Sequence, residues 1–255
     1  MRRLQLLLVL CVISLFAVAC KQRLEFITGA PIQTPYRVND GVIASFPDEI
    51  KERLYKIKVG GTFDGKVYQV PVQEAYASEL TARLSTMFTR GVSVINQSIY
   101  DQITPLNAPL PASRDESQER NLDEVLADLR KKESGEKDAP KKTEAELTEE
   151  AFRAMDVNSV QSKNHAYLLK FDVALLGMVE GRVRTSFVVH LIDRRTGNEL
   201  MKNQYQGRSE RFVPKQSERT NELELQRLVR QSLSGGMSQM MDDLAIATGA
   251  TGSKR

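Results

Sequence analysis

The chain has 255 residues, 41% hydrophobic and 27% charged, a balance suited to one globular domain with extensions and not to a disordered protein. Its formal charge is +3, but two of the 36 basic residues, Arg2 and Arg3, sit in an N-terminal leader, leaving a near-even match to the 33 Asp and Glu. That excludes a global basic field for nucleic acid, and two Cys and two His in the whole chain leave little from which to build a zinc site.

Arg2 and Arg3 form a positive n-region, Leu4 to Ala19 an apolar run broken only by Gln5 and Ser14, and Ala17-Val18-Ala19 supplies small residues before Cys20. The run is shorter than the roughly 20 residues a membrane-spanning helix needs. Lys21-Gln22-Arg23 follows without a second apolar block, so residues 1–19 read as a secretory signal peptide. Phe16-Ala17-Val18-Ala19-Cys20 resembles the lipobox of bacterial lipoproteins, with Ala17 where that family usually has Leu. The resemblance implies that Cys20 carries a diacylglycerol and, after cleavage, an acylated amino terminus of the palmitate type. Several acyl chains hold a protein stably on a bilayer, where one gives only marginal binding. Cleavage that left a free, exposed thiol in an oxidising compartment would instead create a reactive liability. By the same resemblance, Lys21 rather than Asp after the cysteine implies the outer membrane, on its periplasmic side. Cys11 and Cys20 both belong to the leader and its junction, so no disulfide can form within the mature domain.

Residues 20–47 mix Gly29, Pro31, Pro35, Gly41 and Pro47 with isolated apolar residues, and with no sustained period they read as a lipidated tether. Leu54, Ile57 and Val59, then Asp64-Gly65, then Val67, Val70 and Val72 predict a β-hairpin, because Asp-Gly suits the positive φ of a tight turn. Gln73 to Arg90 reads as an amphipathic helix carrying Tyr76, Leu80, Leu84, Met87 and Phe88, with Gly91 as a C-terminal stop. Val92 to Ile95 predicts a short strand beside the hairpin. Residues 97–163 turn Pro-rich and then densely charged, with one helical stripe at Leu122, Val125, Leu126 and Leu129 and another at Leu147, Ala151, Phe152 and Met155. They read as a helical insertion, partly disordered at its centre, Ser134 to Lys142.

Two long strands follow. Tyr167, Leu169, Phe171, Val173 and Leu175 alternate on one face of the first, and Val183, Thr185, Phe187, Val189 and Leu191 on one face of the second. Leu200 to Phe212 is more polar and suits an edge strand. Asn221 with Glu224 predicts a capping pair for a last helix whose stripe runs Leu225, Val229, Leu233, Met237, Met240, Met241 and Leu244. Gly235-Gly236 within it marks a close approach, a kink, or a break into two helices. Residues 247–255 read as a flexible tail.

These elements predict an α+β fold: a two-layer arrangement in which an antiparallel sheet carries amphipathic helices on one face, with residues 48–96 and 164–246 forming a single domain. The layout is similar to small periplasmic lipoprotein domains of envelope machines, such as the lipopolysaccharide-assembly lipoproteins and the N-terminal domains of the TolB family. That similarity implies an envelope protein partner.

No enzyme constellation is visible in the sequence: no G-x-S-x-G, P-loop or H-E-x-x-H pattern occurs, and nothing calls for a cofactor or a metal. His165 and His190 read as structural or surface groups, and Asp172 and Asp193 as solvated. One local bias remains between Gly181 and Arg219, where basic residues outnumber acidic ones. Arg194, Arg195, Lys202, Arg208 and Arg211 are its candidate anion- or partner-binding residues. The reading is therefore a non-catalytic assembly or scaffold lipoprotein, with binding of an anionic lipid or glycan such as lipopolysaccharide through a basic sheet face as the alternative.

If Cys20 is the membrane attachment, metabolic labelling with a fatty-acid probe marks the wild-type chain and fails on Cys20→Ser. Label retained by Cys20→Ser contradicts the assignment.

Overall fold

A computed structural model of the chain describes residues 21–60, 65–106, 125–127, 129–130, 143–161 and 163–252. The leader, Cys20, Asp64 and Ser134 to Lys142 lie outside the described residues. The fold is α+β. In chain order the strands β1 (Lys21–Arg23), β2 (Tyr36–Arg37), β3 (Val42–Phe46), β4 (Leu54–Val59) and β5 (Lys66–Pro71) lead to helix α1 (Val72–Met87). Strand β6 (Val92–Asn96), the single turn α2 (Gln97–Tyr100) and helix α3 (Glu144–Gln161) follow. Strands β7 (Tyr167–Val179), β8 (Arg182–Asp193) and β9 (Glu199–Arg211), helix α4 (Glu218–Thr248) and β10 (Thr251–Gly252) complete the chain.

The main sheet has the order β6-β3-β7-β8-β9 and is mixed, because β3 runs parallel to both β6 and β7 while β7, β8 and β9 form an antiparallel meander. Residues 20–47, read as tether, thus supply an interior strand. All five residues of Val42-Ile-Ala-Ser-Phe are buried, so the strand shows no period-2 alternation that a sequence could reveal. The β4–β5 hairpin forms as predicted and is joined by β1 in a smaller sheet. Strand β6 pairs with β3 and not with the hairpin.

Helix α1 ends at Met87, earlier than Gly91, because Phe88 turns extended and bridges to Val38. Helices α1 and α4 cover one face of the sheet. There Phe46 stacks on Phe171 with ring centroids 4.4 Å apart, and Tyr76 meets Phe187 edge-on at 5.6 Å. The buried Tyr76 hydroxyl donates to the Leu175 carbonyl at 2.6 Å, which answers its polar atom, and burial pushes its pKa well above the ordinary tyrosine range. Within α1, Arg83 and Glu79 are a buried pair at 2.9 Å, and Arg83 also donates to Ser234 and Ser238 of α4 at 2.5 and 3.2 Å. These bonds satisfy the guanidinium and fix the two helices to each other.

The opposite face is covered at its β6–β3–β7 end by the insertion. Val160 of α3 and Ile103 pack on Ile43, Ile95 and Leu168 in a second apolar cluster. Thr104 and Gln161 close the base of the insertion through hydrogen bonds of 2.8 and 3.4 Å. Among the described residues the rest of that face, formed by β7, β8 and β9, lies open, with Val173, Leu175 and Val179 exposed.

Helix α4 is continuous through Gly235-Gly236, and its N-cap is Ser217, which accepts from the Thr220 amide at 3.5 Å. Asn221 holds the Lys215 backbone on both sides instead of capping, at 2.6 and 2.9 Å. The glycines mark a close approach. A Cβ on Gly207 would lie 1.7 Å from the Ser232 carbonyl oxygen, and one on Gly236 2.9 Å from the Phe187 ring. Gly235 meets nothing closer than 3.8 Å.

Adjacent glycines therefore respond with opposite signs. Gly235→Ala raises stability by up to about 1 kcal/mol through helix propensity, whereas Gly236→Ala and Gly207→Ala lower it by about 1–3 kcal/mol through overpacking. Denaturant midpoints of the three variants check this, and equal effects at Gly235 and Gly236 would contradict the close approach.

Candidate functional site

Of the three irregularities in the meander, at Phe171/Val173, Arg182/Arg184 and Leu191/Ile192, the first two give the open face its character. In β7 the pairing runs Phe171 with Val189 and then Val173 with Val188, so Asp172 is the extra residue of a β-bulge. Upstream of it Leu169 and Phe171 face the helices. Downstream the phase reverses, so Ala174 and Leu176 turn to the core while Val173 and Leu175 face solvent. The sequence alternation placed Val173 and Leu175 with Phe171 on the core face, and the bulge overturns that. Val173, Leu175 and Val179 are 38%, 45% and 47% exposed, an apolar row along one strand.

The second bulge lies at the far end of β9. Arg184 pairs with Arg208 and Arg182 with Arg211, so one residue of β8, Val183, faces two of β9, Ser209 and Glu210. The extra residue turns Arg211 to the side of Arg182, and its Cγ would lie 3.4 Å from a Cβ on Gly181. Four arginines thus stand in two directly opposed cross-strand pairs. Glu180 reaches Arg184 only at 3.9 Å, and Glu210 is drawn away to Arg227 of α4 at 2.9 Å. No ion pair is formed by Arg182, Arg208 or Arg211 among the described residues.

The candidate residues from the sequence separate into two places. Arg208 and Arg211 belong to this four-arginine cluster. Arg182 and Arg184 contribute to the sequence excess, but only strand register reveals them as cross-strand partners. Arg194 and Arg195 lie past the other end of β8, on the order of 30 Å away at about 3.3 Å per residue, and they are engaged there. The Arg194 guanidinium donates to the His165 carbonyl at 2.6 Å and sits 5.9 Å from the Tyr100 ring centroid. Arg195 pairs with the buried Asp40, which also accepts from the Gly41 and Ala166 amides at 2.8 and 3.2 Å. Those two arginines tie the β8–β9 turn to the start of β3 and β7. Lys202 lies between the two places, exposed and opposite His190. Cys20 lies outside the described residues.

His190 is bracketed by two carboxylates on the open face, with Nδ1 2.5 Å from Glu199 and Nε2 2.6 Å from Asp172. This cross-strand bridge secures the bulge residue Asp172, which is exposed, as its alternation predicts. Asp193 instead accepts from the Arg195 amide at 2.8 Å within the β8–β9 turn. No group of three or more His, Cys, Asp or Glu able to hold a metal occurs among the described residues. No described helix is long and apolar enough to cross a membrane.

His165 is the buried counterpart. Its Nε2 lies 3.2 Å from the Ser93 hydroxyl, its Nδ1 has no hydrogen-bond partner, and a Cβ on Gly41 would fall 1.9 Å from the ring. Burial, with repulsion from Lys163 and Arg194 and against an opposing pull from Asp40, holds its pKa below the ordinary 6.5.

Compared with protein-family models, curated proteins and solved structures, the chain matches none of them.

The depressed His165 pKa fixes the sign of a pH effect. The contribution is fully present above the unfolded value of about 6.5 and is lost as pH falls below it, because the unfolded chain takes up the proton more readily. Stability measured by denaturant between about pH 6.5 and about pH 5 falls in the wild type and falls less steeply in His165→Gln. Identical slopes contradict this origin.

Proposed function

We propose that the chain is a lipid-anchored, non-catalytic assembly component of a bacterial envelope complex, held by acylated Cys20 on the periplasmic side of the outer membrane. The observation that carries this reading is the open half of β7–β9, where a bulge directs Val173 and Leu175 into solvent. Large apolar side chains turned outward by a specific backbone irregularity cost solvation that a contact surface recovers on docking. The long, twisted meander is braced from behind by α4, which suits a rigid platform rather than a closing cleft. A second reading, binding of an anionic lipid or glycan such as lipopolysaccharide, draws on the opposed arginine pairs of the same face.

A photo-crosslinking residue placed in living cells at Val173 or at Gln204, opposite Val188 on β9, tests the first reading against a control at Leu223, which is 57% exposed on α4. The expected result is a discrete adduct with one envelope protein from the sheet positions and none from Leu223. The absence of protein adducts at both sheet positions rejects the scaffold surface.

A further inference from the structure

The two bulges converge on one patch, and its composition is specific. On β8 and β9 stand Arg182, Arg184, Arg208 and Arg211, paired Arg to Arg across the ladder. On the neighbouring β7, Val179 is opposite Arg182, Gly177 is opposite Arg184, and Leu175 is opposite Ser186. Gly177 leaves the surface beside Arg184 without a side chain, between two exposed apolar residues. The patch is therefore divided lengthwise into a charged band two strands wide, about 5 Å between strands, and an apolar band along the third.

We propose that this patch binds a phosphorylated membrane amphiphile, with its phosphate held by the Arg184–Arg208 and Arg182–Arg211 pairs and the start of its acyl chains lying on Leu175, Val179 and Val173. This inference deepens the second reading above and rests on it. Like charges set directly opposite each other in a sheet are destabilising. Here a bulge adds Arg211 to the group, which a solvated surface has no need to do. An anion between the guanidinium planes removes the repulsion, and arginine recognises phosphate with paired N–H donors. The apolar band distinguishes the occupant from free phosphate, because three exposed aliphatic side chains offer an inorganic ion nothing. An extended acidic peptide added at a sheet edge fits less well, because β8 is an interior strand and its arginines are reached only from the face.

The test uses the full chain carrying Cys20→Ser, so that no acyl anchor contributes, in a neutral detergent. Dioctanoyl phosphatidic acid, dioctanoyl phosphatidylcholine and inorganic pyrophosphate are each titrated into it, with circular dichroism as the fold control. The four arginines are outward-facing, so Arg184→Gln with Arg208→Gln leaves the fold intact. The expected result is that phosphatidic acid binding weakens about tenfold or more in that double variant, the loss of two charge-assisted contacts. It also weakens in Leu175→Ser with Val179→Ser, declines as salt rises, and exceeds both phosphatidylcholine and pyrophosphate. Unchanged affinity in the arginine variant overturns the proposal while leaving anion binding elsewhere on the chain in place. Pyrophosphate binding as tightly as phosphatidic acid, with the apolar variant unaffected, overturns the amphiphile and leaves a bare anion site. No binding of any anion by the unsubstituted patch rejects the second reading together with the proposal.

Discussion

The contact between helix α4 and strands β8 and β9 sets the terms for the rest of the molecule. Gly207 and Gly236 let the helix backbone come so near the sheet that the Ser232 carbonyl occupies the place of a side chain on Gly207, and Thr185 donates to that same carbonyl at 3.2 Å. A helix seated this low cannot slide along the meander without steric conflict. Its apolar stripe, from Leu225 through Met241, is committed to Phe187, Tyr205 and their neighbours. Helix α1 is then fixed to α4 by the Arg83 network, and its Tyr76 reaches across the core to the Leu175 carbonyl. One face of the sheet is thereby fully occupied. Whatever the protein recognises through the meander, it recognises through the other.

The meander and the long helices were legible because their signals are local. Strand β8 alternates without interruption from Val183 to Leu191, β9 carries the polar residues of an edge, and the stripe of α4 keeps its phase through both glycines. Strand β3 was not legible. It is short, buried along its whole length, and set between Gly41 and Pro47 in a stretch that otherwise lacks periodicity, so nothing local distinguishes it from a tether. Its membership in the sheet is decided by β6 and β7, which are distant in sequence. The same is true of Asp40, an inconspicuous turn residue whose buried carboxylate gathers the Gly41 and Ala166 amides and Arg195.

The site divides along the same line. A surplus of Arg and Lys could be counted from the sequence, but not which of them share a surface. Strand register joins Arg208 and Arg211 to Arg184 and Arg182, and it removes Arg194 and Arg195 to the far end of β8, where they serve the structure. The apolar half of the patch was actively concealed. Strict alternation assigns Val173 and Leu175 to the core, and only an extra residue at Asp172 reverses them.

Positions where a locally consistent pattern is broken, while the surrounding fold holds the break in place, are where function is most often lodged. Both of the breaks that shape the open face are held. Asp172 is gripped by His190, itself braced by Glu199 from β9, and the β9 bulge is closed by Arg211 lying against Gly181 and by the Phe212 amide donating to the Gly181 carbonyl at 2.6 Å. A bulge that merely relieved strain would have no reason to turn apolar groups into water on one strand and a further arginine toward three others on the next two. Because both bulges act on the open face, and because α4 leaves that face alone free, the energetic cost of the arrangement falls on the surface that is available to meet a partner.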